Sequence, residues 1–278
     1  MSQLIQMRQQ IKAIETIKKI THAMRLIAMS AHTRLRAGQA TIEEYKKEME
    51  HLFTTVSTNS PEWVNPLIDI PEAQKILVIL IGSEKGLCGA FNSSLFSYSK
   101  ESINNYASHA TFIGVGKKAI EFLRAQSIEH IIEYPRLQSN AISVITQQIT
   151  DLITAKAQYS HVIVYSNVLK SFFVQRPATT FIVPLQHSTS ATQPVIAEPY
   201  VWEEPQEKVL EGLFIQLVYA QLYYLLYTSL VAEQAARFIS MDGATRNANQ
   251  MIETKKLHYN KARQAQITKE LAELSGNL

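Results

Sequence analysis

Between Leu4 and Leu35 the apolar side chains recur at Leu4, Met7, Ile11, Ile14, Ile17, Ile20, Met24, Ile27, Ala31 and Leu35, always three or four residues apart. That spacing is close to the period of about 3.5 residues that keeps one helix facing another in a left-handed coiled coil. No proline precedes Pro61, so the pattern predicts one helix over residues 2–59. A helix of roughly 50 residues is about 75 Å long. No single compact domain has a core that deep. Part of this helix is therefore expected to leave the body of the protein and to need a partner helix.

The other end of the chain supplies the partner. From Gln206 to Leu274 there is no proline, and glycine appears only at Gly212 and Gly243. This predicts up to about 70 residues of helix, or about 100 Å. Its first third is apolar all round, as in a helix packed on several sides. Beyond Glu233 it turns amphipathic, with Ala232, Ala235, Ile239, Ala248, Met251, Ile252 and Tyr259 along its seam. The expected arrangement is an antiparallel pair protruding from a globular base.

The base is the middle of the chain. KILVILIG (75–82) and HVIVYS (161–166) read as buried strands, and ATFIGVG (110–116) as a shorter one. Helical patterns lie at 94–106, 117–126 and 140–157. Strands alternating with helices predict a small, mostly parallel α/β sheet. Residues 169–185 add an expected pair of strands with a turn at Arg176–Pro177, and residues 186–205 are loop-like, rich in Ser, Thr and Pro.

Composition changes this picture in three places. From Gly212 to Ala232 the chain carries no charge and is about long enough to span a bilayer. However, Gln216, Gln221, four tyrosines, Thr228 and Ser229 are spread through it, whereas tyrosine belongs at the two interfaces of a span. A helix buried in soluble protein is the expectation. The single cysteine, Cys88, excludes an internal disulfide and a cysteine metal cage, and suits a reducing compartment. No secretory h-region is present in residues 1–20, and the apolar period runs past residue 30, so the start reads as mature sequence rather than a leader.

Charge is mild overall, at +3, but uneven. Residues 1–40 hold Arg8, Lys12, Lys18, Lys19, Arg25, Arg34 and Arg36 against one acid, Glu15. Such a helix could touch nucleic acid through phosphates. No aromatic residue for base stacking occurs in residues 1–44, so a solvated basic face or an acidic protein partner is at least as good a reading, and nucleic acid is not expected as a partner.

Two stretches look like chemistry. GSEKGLCG (82–89) has the glycines of a phosphate loop, but no Lys-Ser/Thr follows and Glu84 would repel phosphate. Cys88 as a nucleophile would need a base, and no histidine pairs with it by pattern. A small buried residue at a tight strand-to-helix turn is the favoured reading. GVGKKA (114–119), with Glu133 further on, satisfies a loose dinucleotide fingerprint, although Lys117 and Lys118 at the helix start are unusual for one. HExxH, GxSxG and telling carboxylate pairs are absent from the sequence. No catalytic, cofactor or metal residue is therefore assigned.

The two ends carry a resemblance. RQQIKAIETIKKITHAMRLIAMSAHTRLR (8–36) and AARFISMDGATRNANQMIETKKLHYNKARQAQITKELAEL (235–274) resemble the gamma subunit of the F-type ATP synthases. MDGATRNA…YNKARQAQITKEL is the long and specific part, KITHAM looks like the family's Lys-Ile-Thr-x-Ala-Met, and GLCGAFN looks like its glycine-cysteine turn after the first strand. The resemblance is weakest over about residues 100–200. Glu84-Lys85 stands where the family usually has Asp-Arg, the C-terminal LSGNL stands where relatives continue into a Gly-Ala tail, and the two-cysteine insertion of chloroplast members is missing.

The resemblance implies an α/β fold: a long antiparallel coiled coil of N- and C-terminal helices plus a small Rossmann-like α/β domain. The expected divisions are 1–59 and 206–278 for the coiled coil and 71–199 for the globular domain. It also implies a rotor, one copy per complex, with no active site and no cofactor of its own. The coiled coil would enter the hexamer of alpha and beta subunits, and the foot would join the epsilon subunit and the membrane c-ring. Partner-contact residues carried over by the resemblance are Lys18, Lys19, Met24 and Arg25 at one end and Arg237, Arg263, Gln264, Thr268 and Glu270 at the other. It further implies a peripheral protein on the cytoplasmic face of the bacterial inner membrane, meeting the membrane only through the complex. Two rivals remain: a free-standing α/β enzyme using GVGKKA for a dinucleotide, and a coiled-coil scaffold without rotary function.

Overall fold

A computed structural model of the chain describes residues 2–58, 75–128, 130–155, 159–183 and 204–276. Nearly all of the predicted loop at 186–205 lies outside these residues, as do the expected domain edges at 59, 71, 199 and 278 and the last two residues of LSGNL. The elements run α1 (Ser2–Thr58), β1 (Lys75–Ile81), α2 (Phe91–Tyr106), β2 (Ala110–Val115), α3 (Lys117–Ala125), β3 (Ile131–Tyr134), α4 (Ile142–Thr154), β4 (Tyr159–Ser171), β5 (Val174–Val183) and α5 (Gln206–Gly276). They form two compact units. A helical unit comprises Met1–Ser30 and Arg237–Leu278, and a sheet unit comprises Ala31–Ala236. Both boundaries fall inside α1 and α5, so each long helix contributes to both units.

The sheet unit has strand order β3-β2-β1-β4-β5, with β5 antiparallel to β4 and the other pairs parallel. Central β1 is a continuous apolar run because it is covered on both faces. Its side chains alternate between two cores. Val78 and Leu80 join Leu95 and Ile103 of α2, Ala119 and Leu123 of α3, and Phe112, Ile163 and Tyr165 of the neighbouring strands. Leu77, Ile79 and Ile81 join α4 through Ile142, Ile145, Ile149 and Ile153, together with Leu35 and Phe53 of α1 and a long row from α5. That row, Phe214, Leu217, Val218, Leu222, Leu225, Leu226, Leu230 and Val231, lies inside the charge-free stretch. By length and composition α5 could cross a membrane, and here those side chains are the core of the sheet unit.

The hairpin differs from its expected form. HVIVYS continues through Ser171 as one long strand, and the chain turns at Phe172–Phe173 rather than at Arg176–Pro177. Arg176 and Pro177 sit within β5, paired with Val168 and Asn167. Proline is tolerated there because β5 is an edge strand, where a missing N–H can face outward. Two phenylalanines are unusual in a two-residue turn. Phe172 has a packing reason to be there, since its ring meets buried His32 edge-on, with centroids 4.9 Å apart. Strand β3 has no counterpart in the sequence pattern, being only four residues long.

Within this unit α1 and α5 are also tied by polar contacts. Tyr227 Oη donates to the Leu35 carbonyl at 2.7 Å, and Gln221 Nε2 donates to Glu50 at 3.2 Å. Burial pushes the phenols of Tyr134, Tyr165, Tyr219 and Tyr227 above their ordinary value. A raised folded-state value means that the unfolded chain gives up its phenolic protons first, near pH 10. Stability is therefore complete below about pH 10 and falls as pH rises from there through the raised folded values. Urea midpoints should hold between pH 8 and 9 and drop above pH 10. Tyr227→Phe, which removes the buried hydroxyl that meets Leu35, should cost about 1 kcal/mol at neutral pH and flatten that drop. A midpoint indifferent to pH up to 11 would refute the account.

Candidate functional site

The helical unit is an antiparallel pair whose register is set by cross-helix contacts. Thr21 and Thr245 join hydroxyl to hydroxyl at 3.0 Å, Arg25 meets Asp242 at 2.7 Å, and Lys255 donates to Gln10 at 2.9 Å. Lys256 pairs with Glu15 at 3.2 Å. Buried positions are Ile11, Thr21 and Ala28 on α1 and Arg237, Met241, Thr245, Ala248 and Ile252 on α5. Half-buried Leu4, Met7, Ile14, Lys18, Met24 and Arg25 extend the first row, and Lys255, Tyr259, Ala262 and Gln266 the second.

This seam keeps the expected Leu4, Met7, Ile11, Ile14 and Met24 on α1 and Ala248, Ile252 and Tyr259 on α5, and departs from the expected one at Ile17, Ile20, Ile27 and Met251. After Ile14, Lys18, Thr21, Arg25 and Ala28 turn inward in steps of four and three, with Met24 beside Arg25. Ile17, Ile20 and Ile27, expected in the seam, are 54%, 54% and 68% exposed, and Leu26 and Met29 are exposed on α1 as well. On α5 the expected Met251 is exposed, whereas Met241 and Thr245 are buried. The cause is the match across the pair: Asp242 faces Arg25 and Thr245 faces Thr21, so a polar stripe turns inward and leaves an apolar stripe outside. Asp242 also holds Arg246, at 3.2 Å.

The residues carried over by resemblance separate into two groups. Lys18, Met24 and Arg25 line the seam, and Arg237 is buried. Lys19, Arg263, Gln264, Thr268 and Glu270 are exposed. The C-terminal group is not brought beside the N-terminal one. Counting outward from Thr21–Thr245 and Gln10–Lys255, Gln264 comes level with the first residues of α1, and Thr268 and Glu270 lie beyond the described part of that helix. There, among the described residues, these side chains bond within α5: Thr268 donates to the Gln264 carbonyl at 3.0 Å, and Glu270 accepts from Gln266 at 2.9 Å. Exposed Ile267 and Leu271 sit among them. Sequence reasoning missed the outer stripe of Ile17, Ile20 and Ile27. The spacing held a signal, since Ile11, Ile14, Ile17 and Ile20 step by three each time, which no heptad sustains.

The two chemical-looking loops of the sheet unit are filled from within. Cys88 is buried, and Asn92 Nδ2 donates to its sulfur at 3.2 Å and to Ser83 Oγ at 2.7 Å. Ser83 N in turn donates to Asn92 Oδ1 at 3.1 Å, so Asn92 pins the strand-to-helix turn. Cys88 packs with Phe91, Ala232 and Ala236, as a small core residue should. In GVGKKA, Gly116 has φ +86° and lies against the Gly82 carbonyl. Lys118 N, in the first turn of α3, donates to the Ser83 carbonyl at 3.0 Å. The backbone that a dinucleotide's phosphates would approach is thus packed against the neighbouring loop. No group of three or more metal-ligating side chains occurs among the described residues.

Comparison with known proteins follows the whole length of the chain. A family model described as ATP synthase matches residues 3–277. The ATP synthase gamma chain of Chlorobaculum parvum is 30% identical over 99% of this chain and 97% of its own length. That of Chlorobium chlorochromatii is 27% identical over the same shares. Among solved structures, a chain of the Euglena gracilis mitochondrial ATP synthase OSCP/F1/c-ring assembly superposes with a TM-score of 0.70 at 15% identity, covering 99% of this chain and 93% of that one. A chain of the Tetrahymena thermophila central stalk and c-ring gives 0.60 at 20% identity, covering 81% and 99%.

Proposed function

This chain belongs to the ATP synthase gamma-chain family, and from that we propose that it is the central-stalk rotor of a bacterial F-type ATP synthase. The observation that carries the reading is the outward apolar stripe of Ile17, Ile20 and Ile27 on a helix that also bears Arg8, Lys12 and Lys19. A helix pair that gives part of its seam to polar side chains and leaves large apolar ones outside is built to be surrounded. The surrounding protein is the hexamer of alpha and beta subunits, with apolar and acidic groups turned toward the shaft. Exposed Lys19, Arg263, Gln264, Thr268 and Glu270 contact it directly. Seam residues Lys18, Met24, Arg25 and Arg237 hold the shaft in shape beneath that contact.

Torque passes along α1 and α5 between this shaft and the sheet unit, which serves as the foot on the epsilon subunit and the c-ring. Proton or sodium flow through the membrane turns the ring, and the asymmetric shaft drives the catalytic sites of the beta subunits between open and closed states. The gamma chain has no catalytic residue or cofactor in this scheme. It sits, one copy per complex, on the cytoplasmic face of the bacterial inner membrane and touches the membrane only through its partners. The internally bonded turns at 82–92 and 114–119 favour a scaffolding foot over the dinucleotide-enzyme rival.

The test is ATPase activity of purified alpha and beta subunits with and without this chain, with the mass of the complex read alongside. One copy joining three alpha and three beta subunits, with altered turnover, is the expected result. Gln264→Ala should then lower the coupling of hydrolysis to ion pumping while the complex stays assembled. A chain that remains apart from the hexamer and leaves turnover unchanged would sink the rotor reading.

A further inference from the structure

The helical unit holds few of its large apolar side chains inside. On α1 from Ser2 to Ser30 the one large aliphatic residue that is buried is Ile11, with Leu4, Met7, Ile14 and Met24 half-buried; on α5 beyond Arg237 the buried ones are Met241 and Ile252, with Ile239 half-buried. The intervening layers are Lys18, the Thr21–Thr245 pair and the Arg25–Asp242 pair. Hydroxyl pairs and partly exposed ion pairs exchange one set of hydrogen bonds for another and add little net stability. Meanwhile Ile17, Ile20, Leu26, Ile27 and Met29, and on α5 Met251, Leu257, Ile267 and Leu271, are each more than two-fifths exposed. The sheet unit is the opposite case, with Leu77, Ile79, Leu80, Ile81 and Ile113 wholly buried.

We infer that the helical unit is a shaft that becomes fixed only when it is sheathed. In the free chain the paired segments at 8–26 and 241–270 open and close locally, because the seam alone cannot offset the ordering of two long helices. Enclosure covers the outer stripe and supplies the missing burial, so the pair closes on assembly. This rests on the rotor reading for the identity of the sheath. The opening itself rests on the seam. A shaft of this kind would stay loose enough to thread into its bearing and would turn stiff once seated.

Amide hydrogen exchange by mass spectrometry on the full chain, free and assembled with alpha and beta subunits, decides it. In the free chain, amides of 8–26 and 241–270 are expected to exchange at least about a hundredfold faster than those of β1 and β4, and to slow by a similar factor on assembly. Thr21→Val with Thr245→Val, which replaces both hydroxyls by methyl groups of the same shape, should slow exchange around them in the free chain several-fold. Exchange in the free helical unit as slow as in β1 would overturn the inference, even if the complex forms. So would a double valine variant that exchanges no slower than the parent. Failure of the complex to form is a separate result: it would remove the rotor reading and, with it, the assembly half of this inference.

Discussion

Gly116→Ala is expected to lower the melting temperature of the chain by about 10 °C or to leave it insoluble. Gly116 combines φ +86° with ψ 140°, a backbone region that L side chains avoid. Space is as restrictive as the dihedral. A Cβ there would collide with the Gly82 carbonyl oxygen, which is backbone and cannot swing aside. Gly82 is itself fixed by its N–H, which donates to the Val115 carbonyl at 2.9 Å, and a Cβ on Gly82 would meet Ala119 N at 2.9 Å. The two glycines let the ends of β1 and β2 and the start of α3 meet backbone to backbone. Strain and overlap together should cost about 4 kcal/mol. Circular dichroism melts of the full chain would show it, and a melting point within about 2 °C of the parent would mean that the loops can part without loss.

Ile20→Asp combined with Ile27→Asp should leave the melting point of the free chain within about 2 °C of the parent, because both side chains already stand in water. Assembly with the alpha and beta subunits should weaken by about a hundredfold or more, since each change buries a carboxylate where an aliphatic side chain should go. The expected seam of the sequence pattern makes the reverse prediction: carboxylates between the helices would break the pair in the free chain. Titrating the labelled variant against the hexamer separates the two. Ile20→Leu with Ile27→Leu, which keeps the apolar stripe, should bind nearly as well as the parent. Equal affinity of the aspartate variant and the parent would mean that the stripe faces nothing in the complex.

How much of this could be read from the sequence depended on how loudly each element announced its period. α1 and α5 are long and free of proline, and β1 is an unbroken apolar run, so their type and extent were plain. The rotation of α1 about its own axis was not. Two stripes one residue apart, Ile17–Ile20–Ile27 and Lys18–Thr21–Arg25–Ala28, compete for the inside, and apolarity favours the wrong one. Only the partner helix decides, through Asp242 and Thr245, and that is information about a pair of segments more than 200 residues apart. The turn at Phe172–Phe173 was hidden for a similar reason, because its packing partner is His32 on a distant element. For the candidate site, family resemblance named the segments, while burial sorted Arg25 and Arg237 from Lys19 and Gln264.

Pro177 has a consequence for the life of the chain before it finds its partners. Among the described strands β5 is an edge, and an open edge is a template on which a second copy can add its own strand and begin a fibre. A proline midway along removes one of the donors such growth requires, while the ladder to β4 continues on either side of it. Arg176 beside it is exposed and would set like charges close together in any stacked copies. A subunit made to be buried in a larger machine thus carries its own guard against premature self-association while it waits.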